Sequence, residues 1–298
     1  MSKYVIFTDS CCDLDTKTRR DHQLEYVHMA ITVDGEEKLA DLDWELYSPE
    51  EFYGWLKEGR KVKTSQVSYE EFMKEFSKWL EKGYDVLYLA CSSALTGSLN
   101  VCNTLAKPEL LEKYPDRKIV TVDTLLASAG EGMLALKACE LRDQGKTIEE
   151  VAQYCEDNKF FYNQFATVDN LNFLKAAGRI KGAKAFFGNL MGVKPIIISD
   201  RKGNNFAIKK AKGTKNSLEE LFLGCKETLE KDKCDRVFIG QGLAMDRAES
   251  LKKRIEDELD IPATITWIGP IVGTSCGPGV IAVFCVGKEV TRYEGDGK

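Results

Sequence analysis

Residues 85–98 read DVLYLACSSALTGS. The first six, Asp85–Ala90, are a short, largely apolar run with no helical period, which marks a buried strand. A loop of hydroxyls with one glycine follows, and the chain then enters a helix through Leu99, Asn100 and Val101. A strand that passes through a polar loop into a helix is the repeating unit of an open α/β sheet, where ligands bind beyond the carboxyl ends of the strands. The loop suits an anion. A helix start presents unpaired N–H groups and the positive end of the helix dipole. Gly97 allows close backbone approach, and Ser92, Ser93, Thr96 and Ser98 add hydroxyl donors. No GK[ST] follows, so this is not a P-loop, and a plain helix-entry turn remains the structural alternative.

The same alternation extends in both directions. Residues 3–8 (KYVIFT) and 118–122 (KIVTV) are further strand signals. Helices are announced by Ser48-Pro49-Glu50-Glu51, Ser68 to Glu71 and Thr147 to Glu150, each with capping-box spacing. Past Asn163 the pattern changes. A strand at 164–168 leads to a short helix over 169–177 that Gly178 stops, and a glycine- and alanine-rich helix is expected over 183–191. Strands at 194–199 and 206–211 flank a turn cluster and read as a hairpin. Ser217 is expected to cap another helix, and strands at 236–240, 264–268 and 280–286 accompany a helix over 245–259. The fold class is therefore α/β in two domains. Residues 1–162 form a mostly parallel sheet flanked by helices, and 163–298 form a mixed sheet with helices.

Composition narrows the function. With 43% hydrophobic residues, the chain can build a core large enough to enclose a ligand. The net charge of −5, with no long Lys/Arg block, argues against nucleic acid, which demands a basic face. No apolar run approaches the roughly 18 residues of a membrane span, and the start is too short and too quickly polar for a signal peptide, so a soluble, cytoplasmic protein is expected. The ten cysteines include no CxxC, and the two histidines, His22 and His28, have no cysteines at ligand spacing. They read as free, mostly buried thiols of a reducing compartment; neither a metal nor a cofactor is expected.

Four more segments could carry chemistry. Thr8-Asp9-Ser10 ends the first strand, and Thr64-Ser65-Gln66 reads as a loop before a capped helix. Arg179 follows the stop at Gly178, where it could meet a carboxylate or cap carbonyls. Residues 273–279 (GTSCGPG), which include Thr274 and Ser275, imply a tight loop between two strands. Catalysis finds little support. No GxSxG elbow, GxGxxG loop or paired-carboxylate motif is present, and no histidine follows residue 28.

Taken in order, Thr8-Asp9-Ser10, Thr64-Ser65-Gln66, Ser92 to Gly97, Gly178-Arg179-Ile180, Lys194-Pro195 and Gly277-Pro278-Gly279 resemble the motif series of the DegV family across essentially the whole chain. The resemblance implies a non-enzymatic carrier with one long-chain fatty acid held between two α/β domains. It further implies presentation of the acyl carboxylate to a separate fatty acid kinase subunit that makes acyl phosphate. By this resemblance Thr64 and Ser93 hydrogen-bond the carboxylate, with Arg179, Thr96 and Gly97 close by and Ser65, Ser92, Thr274 and Ser275 as neighbours. Two positions depart from the family. Ser275 stands where relatives carry histidine, and Lys212 stands for an arginine in a segment implicated in kinase docking; lysine keeps the charge without the bidentate fork. Residues 186–191 (FFGNLM) are a candidate wall for the acyl chain, or an ordinary core helix. Two other readings remain: an enzyme acting on a small carboxylate or phosphate ester, and a regulatory module whose lipid is only structural.

Overall fold

The computed structural model describes residues 3–181 and 192–292. From the N-terminus come β1 (Tyr4–Asp9), α1 (Thr16–Asp21), β2 (Leu24–Val27), β3 (Ala30–Val33) and β4 (Glu36–Leu39). They are followed by α2 (Pro49–Lys57), β5 (Val62–Ser65), α3 (Tyr69–Leu80), β6 (Asp85–Ala90) and α4 (Ser98–Val101). After a π-turn come α5 (Lys107–Lys113), β7 (Ile119–Asp123), α6 (Ala129–Asp143) and α7 (Ile148–Asn158). The remainder opens with β8 (Tyr162–Thr167), α8 (Leu171–Ala177), β9 (Ile180–Lys181), β10 (Val193–Ser199) and β11 (Asn205–Lys212). It ends with α9 (Gly213–Thr228), β12 (Val237–Gln241), α10 (Met245–Leu259), β13 (Ala263–Trp267), α11 (Pro270–Cys276) and β14 (Ile281–Val286).

These strands form three sheets. β2-β1-β6-β7 is a parallel sheet, β4-β3-β5 a small antiparallel one, and β13-β12-β14-β8-β10-β11-β9 a mixed one. The α/β class expected from sequence is the one observed. Alternation along β1 and β6 divides the core between the two faces of the parallel sheet. Val5, Phe7, Val86 and Tyr88 pack with Phe72, Phe76 and Leu80 of α3. Ile6, Leu87 and Leu89 pack with Leu134, Ala135 and Ala138 of α6, in a cluster that continues to Phe165 and Phe284 of the mixed sheet. Two glycines let α6 sit between the sheets. A Cβ on Gly132 would fall 2.6 Å from Leu14 Cγ and 2.7 Å from the Cys12 carbonyl, and one on Gly130 would touch Phe284 at 3.4 Å.

Several sequence expectations need correction. Ser217 does not cap a helix: α9 already begins at Gly213, and the buried Ser217 hydroxyl donates to the Thr214 carbonyl at 2.8 Å. A serine followed by glutamate three residues later fits a helix interior as well as a helix start. Residues 273–276 are not loop but the end of α11, which starts with Pro270 at its first turn. Only the Gly277-Pro278-Gly279 turn remains irregular, with Gly277 and Gly279 at φ +73° and +87°. Thr64 and Ser65 belong to the strand β5, and the small sheet containing it went unread because β4 (EEKL) is short and charged. The boxes at Ser48/Glu51 and Thr147/Glu150 are complete, whereas Glu71 leaves the Ser68 cap half made. The helix expected over 183–191 and the candidate wall 186–191 lie outside the described residues.

Candidate functional site

A cavity of about 310 Å³ lies between the mixed sheet and the loops at the carboxyl ends of β1 and β6, at the small end of the ~300–1,000 Å³ typical of small-molecule sites. Its floor is one face of the mixed sheet, built from cross-strand partners. Ala282 pairs with Ala166 and Phe284 with Gln164, while Ile197 pairs with Ala166 on the other side. Ala166 and Ala282 lack the bulk that would fill the space. The opposite face of the same strands is sealed by α9, where Gly224 packs against the Phe165 ring so closely that an added Cβ would lie 2.5 Å from it. Ile268, Ile271, Val272, Val280, Leu95 and Met29 add further apolar lining.

Polar groups enter where β5, the loop after β6 and α11 converge. β5 pairs with β3, Thr64 opposite Ile31 and Ser65 opposite Ala30, which brings Thr64, Ser65 and Gln66 to the cavity. The loop is tied down beside them. The Ser98 hydroxyl accepts from Val67 N at 3.1 Å and pairs with Thr96 Oγ1 at 3.0 Å. Thr96 Oγ1 also accepts from Ser98 N at 3.3 Å, at the start of α4. Gly97 lets the Gln66 side chain lie against the loop, since a Cβ would fall 2.1 Å from Gln66 Oε1 and displace it. Arg179 reaches the loop from the other half of the chain. Its Nε donates to the Leu95 carbonyl and its Nη1 to the Ala177 carbonyl, both at 2.8 Å, leaving Nη2 with no protein partner among the described residues. Ser275 projects from α11 into the cavity. The hydroxyls of Thr64, Ser65 and Ser275 make no side-chain hydrogen bond among the described residues, so all three are available as donors.

Of the residues expected from sequence, Thr64, Ser65, Thr96, Gly97, Arg179 and Ser275 line this cavity together. Ser92, Ser93 and Thr274 do not. Ser92 is buried and donates to the Gly203 carbonyl at 2.9 Å, joining the two halves of the chain. Ser93 is exposed. Its N–H donates to Asp123 Oδ1 at 3.1 Å and its hydroxyl to Asp123 Oδ2. Thr274 turns back to the Pro270 carbonyl one helical turn earlier, at 2.7 Å. Ser10 of the first motif is structural, bridging the Ala40 carbonyl and Met29 N. Sequence reasoning missed Gln164 and Asn205, joined at 2.6 Å on the floor, because polar residues facing inward on a sheet leave no motif. It also missed Ser128, held at a positive φ of 55° by its bond to the buried Asp13.

Asp13 fastens the site's surroundings. Its carboxylate accepts from the Ser128 hydroxyl and from Gly269 N (2.8 Å), and its carbonyl accepts from Thr266 Oγ1 (2.6 Å). Burial pushes its carboxyl up to about 7 despite the donors from Ser128 and Gly269. Neither histidine lines the cavity. His28 Nδ1 bonds Glu71 Oε1 at 2.7 Å, and His22 Nδ1 the Thr18 carbonyl at 2.9 Å. Among the cavity's described lining residues Arg179 is the one cation. Its polar end can therefore hold an anionic head group through hydroxyls and a guanidinium, and its body can hold an apolar chain.

Comparison with known proteins places this architecture. The profile of the family described as "Uncharacterised protein, DegV family" matches residues 3–288. A DegV domain-containing protein of Clostridium perfringens is 36% identical over 288 residues, covering 96% of this chain and 98% of that protein. A DegV family protein from Thermus thermophilus, described by its fatty acid binding, superposes with a TM-score of 0.84 at 28% identity over 96% of this chain and 100% of that one. A DegV lipid-binding protein from Thermotoga maritima superposes equally well, at 0.84, with 26% identity over 97% of this chain and 100% of that one.

Proposed function

The chain belongs to the DegV family, and from that premise we propose that it binds one long-chain fatty acid non-covalently in the cavity, acyl chain on the sheet floor and carboxylate among the hydroxyls. The observation that carries this reading is the division of the cavity wall. Hydroxyls of Thr64, Ser65 and Ser275, without a side-chain partner among the described residues, line the cavity with Arg179. Ala166, Ala282, Ile197 and Phe284 make its floor mostly apolar, the Gln164 and Asn205 side chains there being bonded to each other. Solved relatives described by lipid or fatty acid binding share the fold over nearly the full chain. The carboxylate contacts assigned in this reading are Thr64, Ser65, Ser275 and Arg179, with Thr96 and Gly97 shaping the loop. Residues 1–162 and 163–298 act as the two domains between which the ligand lies. As Ser92, Ser93 and Thr274 spend their hydroxyls elsewhere, they hold the loop and α11 in place rather than touch the ligand.

The energetics assign separate jobs to the two ends. Burial of roughly fourteen methylenes at ~0.8 kcal/mol each yields a gross ~11 kcal/mol before the costs of association. One charge-assisted hydrogen bond adds only about 1.5–3 kcal/mol. The chain sets affinity and the hydroxyls set orientation. Titration of delipidated protein with saturated acids of increasing length tests this. Affinity should climb steeply with each methylene until the cavity is full; an affinity independent of chain length would contradict the assignment.

The finer step in the same reading is presentation of the carboxylate to a fatty acid kinase. It is supported by the exposure of Ser65 and Arg179 in the cavity lining, and by the exposed Lys209, Lys210 and Lys212 along β11. Acyl phosphate formed only when this protein, its fatty acid, ATP and the cognate kinase are combined would support it. No product above background would leave the protein a carrier alone.

A further inference from the structure

The cysteines carry no metal motif in their spacing, because ligands contributed by separate strands leave none. The fold nevertheless brings two of them together. Cys11 follows β1 and Cys91 follows β6, neighbouring parallel strands paired from Tyr4↔Asp85 to Phe7↔Tyr88. One carboxylate oxygen of Asp9 and the Sγ atoms of Cys11 and Cys91 all lie within 4.8 Å of one another. All three residues are buried, and both cysteines also line the cavity, which gives an ion a way in.

The carboxylate is oriented as a ligand would be. Asp9 Oδ2 accepts from Tyr88 Oη at 2.9 Å and from Cys91 N at 3.1 Å, and Oδ1 accepts from Cys11 N at 3.0 Å. A carboxylate has about four lone-pair sites, so one remains open on Oδ1. Glu131 of α6 supplies an independent observation. It is fully buried, its Oε1 lies 3.5 Å from Asp9 N, and its Oε2 has no hydrogen-bond partner among the described residues. An unpartnered buried carboxylate oxygen is costly to maintain. Among the described residues no Lys, Arg or His side chain bonds Asp9 or Glu131, and burial favours the neutral, protonated forms of these acids and thiols, so a cation binds there as their protons leave.

We infer that Asp9, Cys11 and Cys91 form a three-ligand site for a thiophilic divalent cation such as Zn2+, with the buried Glu131 beside it. Two sulfurs select a borderline-soft metal over Mg2+ or Ca2+. Zn–S and Zn–O bonds of roughly 2.3 and 2.0–2.2 Å put tetrahedral ligand atoms about 3.5–3.8 Å apart, a spacing that atoms within 4.8 Å of one another can adopt. The ion takes the place of protons released from the thiols and the carboxyl, at the junction of the two central strands and the cavity.

The test uses the full chain, purified under reducing conditions and stripped with a chelator. After dialysis against Zn2+, one ion per chain is expected. Cys11→Ser and Cys91→Ser should each weaken binding about tenfold or more, and Cys139→Ser, a buried thiol elsewhere in α6, should leave it unchanged. Co2+ in place of Zn2+ should give a thiolate-to-metal charge-transfer band with tetrahedral ligand-field absorption, a readout that needs no variant. Absence of stoichiometric uptake by the wild-type chain, equal uptake by both cysteine variants, or a cobalt spectrum without thiolate character would overturn the inference. So would a non-reducing mass lighter by two hydrogens, since that places a Cys11–Cys91 disulfide where the ion should be.

Discussion

At the scale of the residue, the candidate site separates hydroxyls that are free to meet a ligand from those already engaged. Thr64→Ala and Ser275→Ala should each weaken fatty acid binding by about 1–3 kcal/mol while leaving the unfolding transition in place. Ser93→Ala should not change affinity, because Ser93 faces Asp123. A loss in Ser93→Ala equal to that in Thr64→Ala would contradict the arrangement. The sequence exposed part of this site: the order of motifs pointed to Thr64, Thr96, Gly97 and Arg179. It did not distinguish Ser92, Ser93 and Thr274 from them, since the direction of a hydroxyl depends on whether Asp123, Gly203 or Pro270 is there to accept it. Gln164 and Asn205 were invisible for a related reason: nothing local separates a polar side chain facing a cavity from one facing water.

Elements fix where those residues can go. The floor depends on small side chains at paired positions of β8 and β14. Ala166→Leu should fill the space, reduce long-chain affinity at least about tenfold and leave stability nearly unchanged, as read by titration and chemical denaturation. At the start of α3 a different economy holds. Burial alone would raise the Glu71 carboxyl, but hydrogen bonds from the His28 ring and the His28 N–H outweigh it and lower the carboxyl from its usual range to about 2. A folded-state value below the unfolded one adds stability above about pH 4.5 that disappears as pH falls toward 2. Glu71→Gln should therefore cost about 1–2 kcal/mol at pH 7 and much less at pH 3, measured by urea unfolding at both. Strands and caps of the parallel sheet were legible because period and cap chemistry are local. The small sheet was not, because β4 and β5 are held by pairing and by α11, a helix read as loop from its glycines.

On the scale of the whole molecule, the two halves share one core through α6 and are clasped by a few polar bonds across the cavity's edge. Tyr53 is fully buried, and its hydroxyl donates to the Ile268 carbonyl at 2.8 Å, next to the cavity flank. Tyr53→Phe leaves that carbonyl unpaired and should cost about 1–3 kcal/mol of stability. A bound fatty acid at a hundred times its dissociation constant should add about 2.7 kcal/mol to every variant that still binds. The central claim is that this chain carries an exchangeable long-chain fatty acid, and native mass spectrometry tests it most directly. The account predicts a complex heavier than the chain by one long-chain fatty acid, identified after release, that shifts to the mass of an added isotopically labelled acid. A chain that is isolated empty and stays empty when long-chain acids are supplied would contradict it.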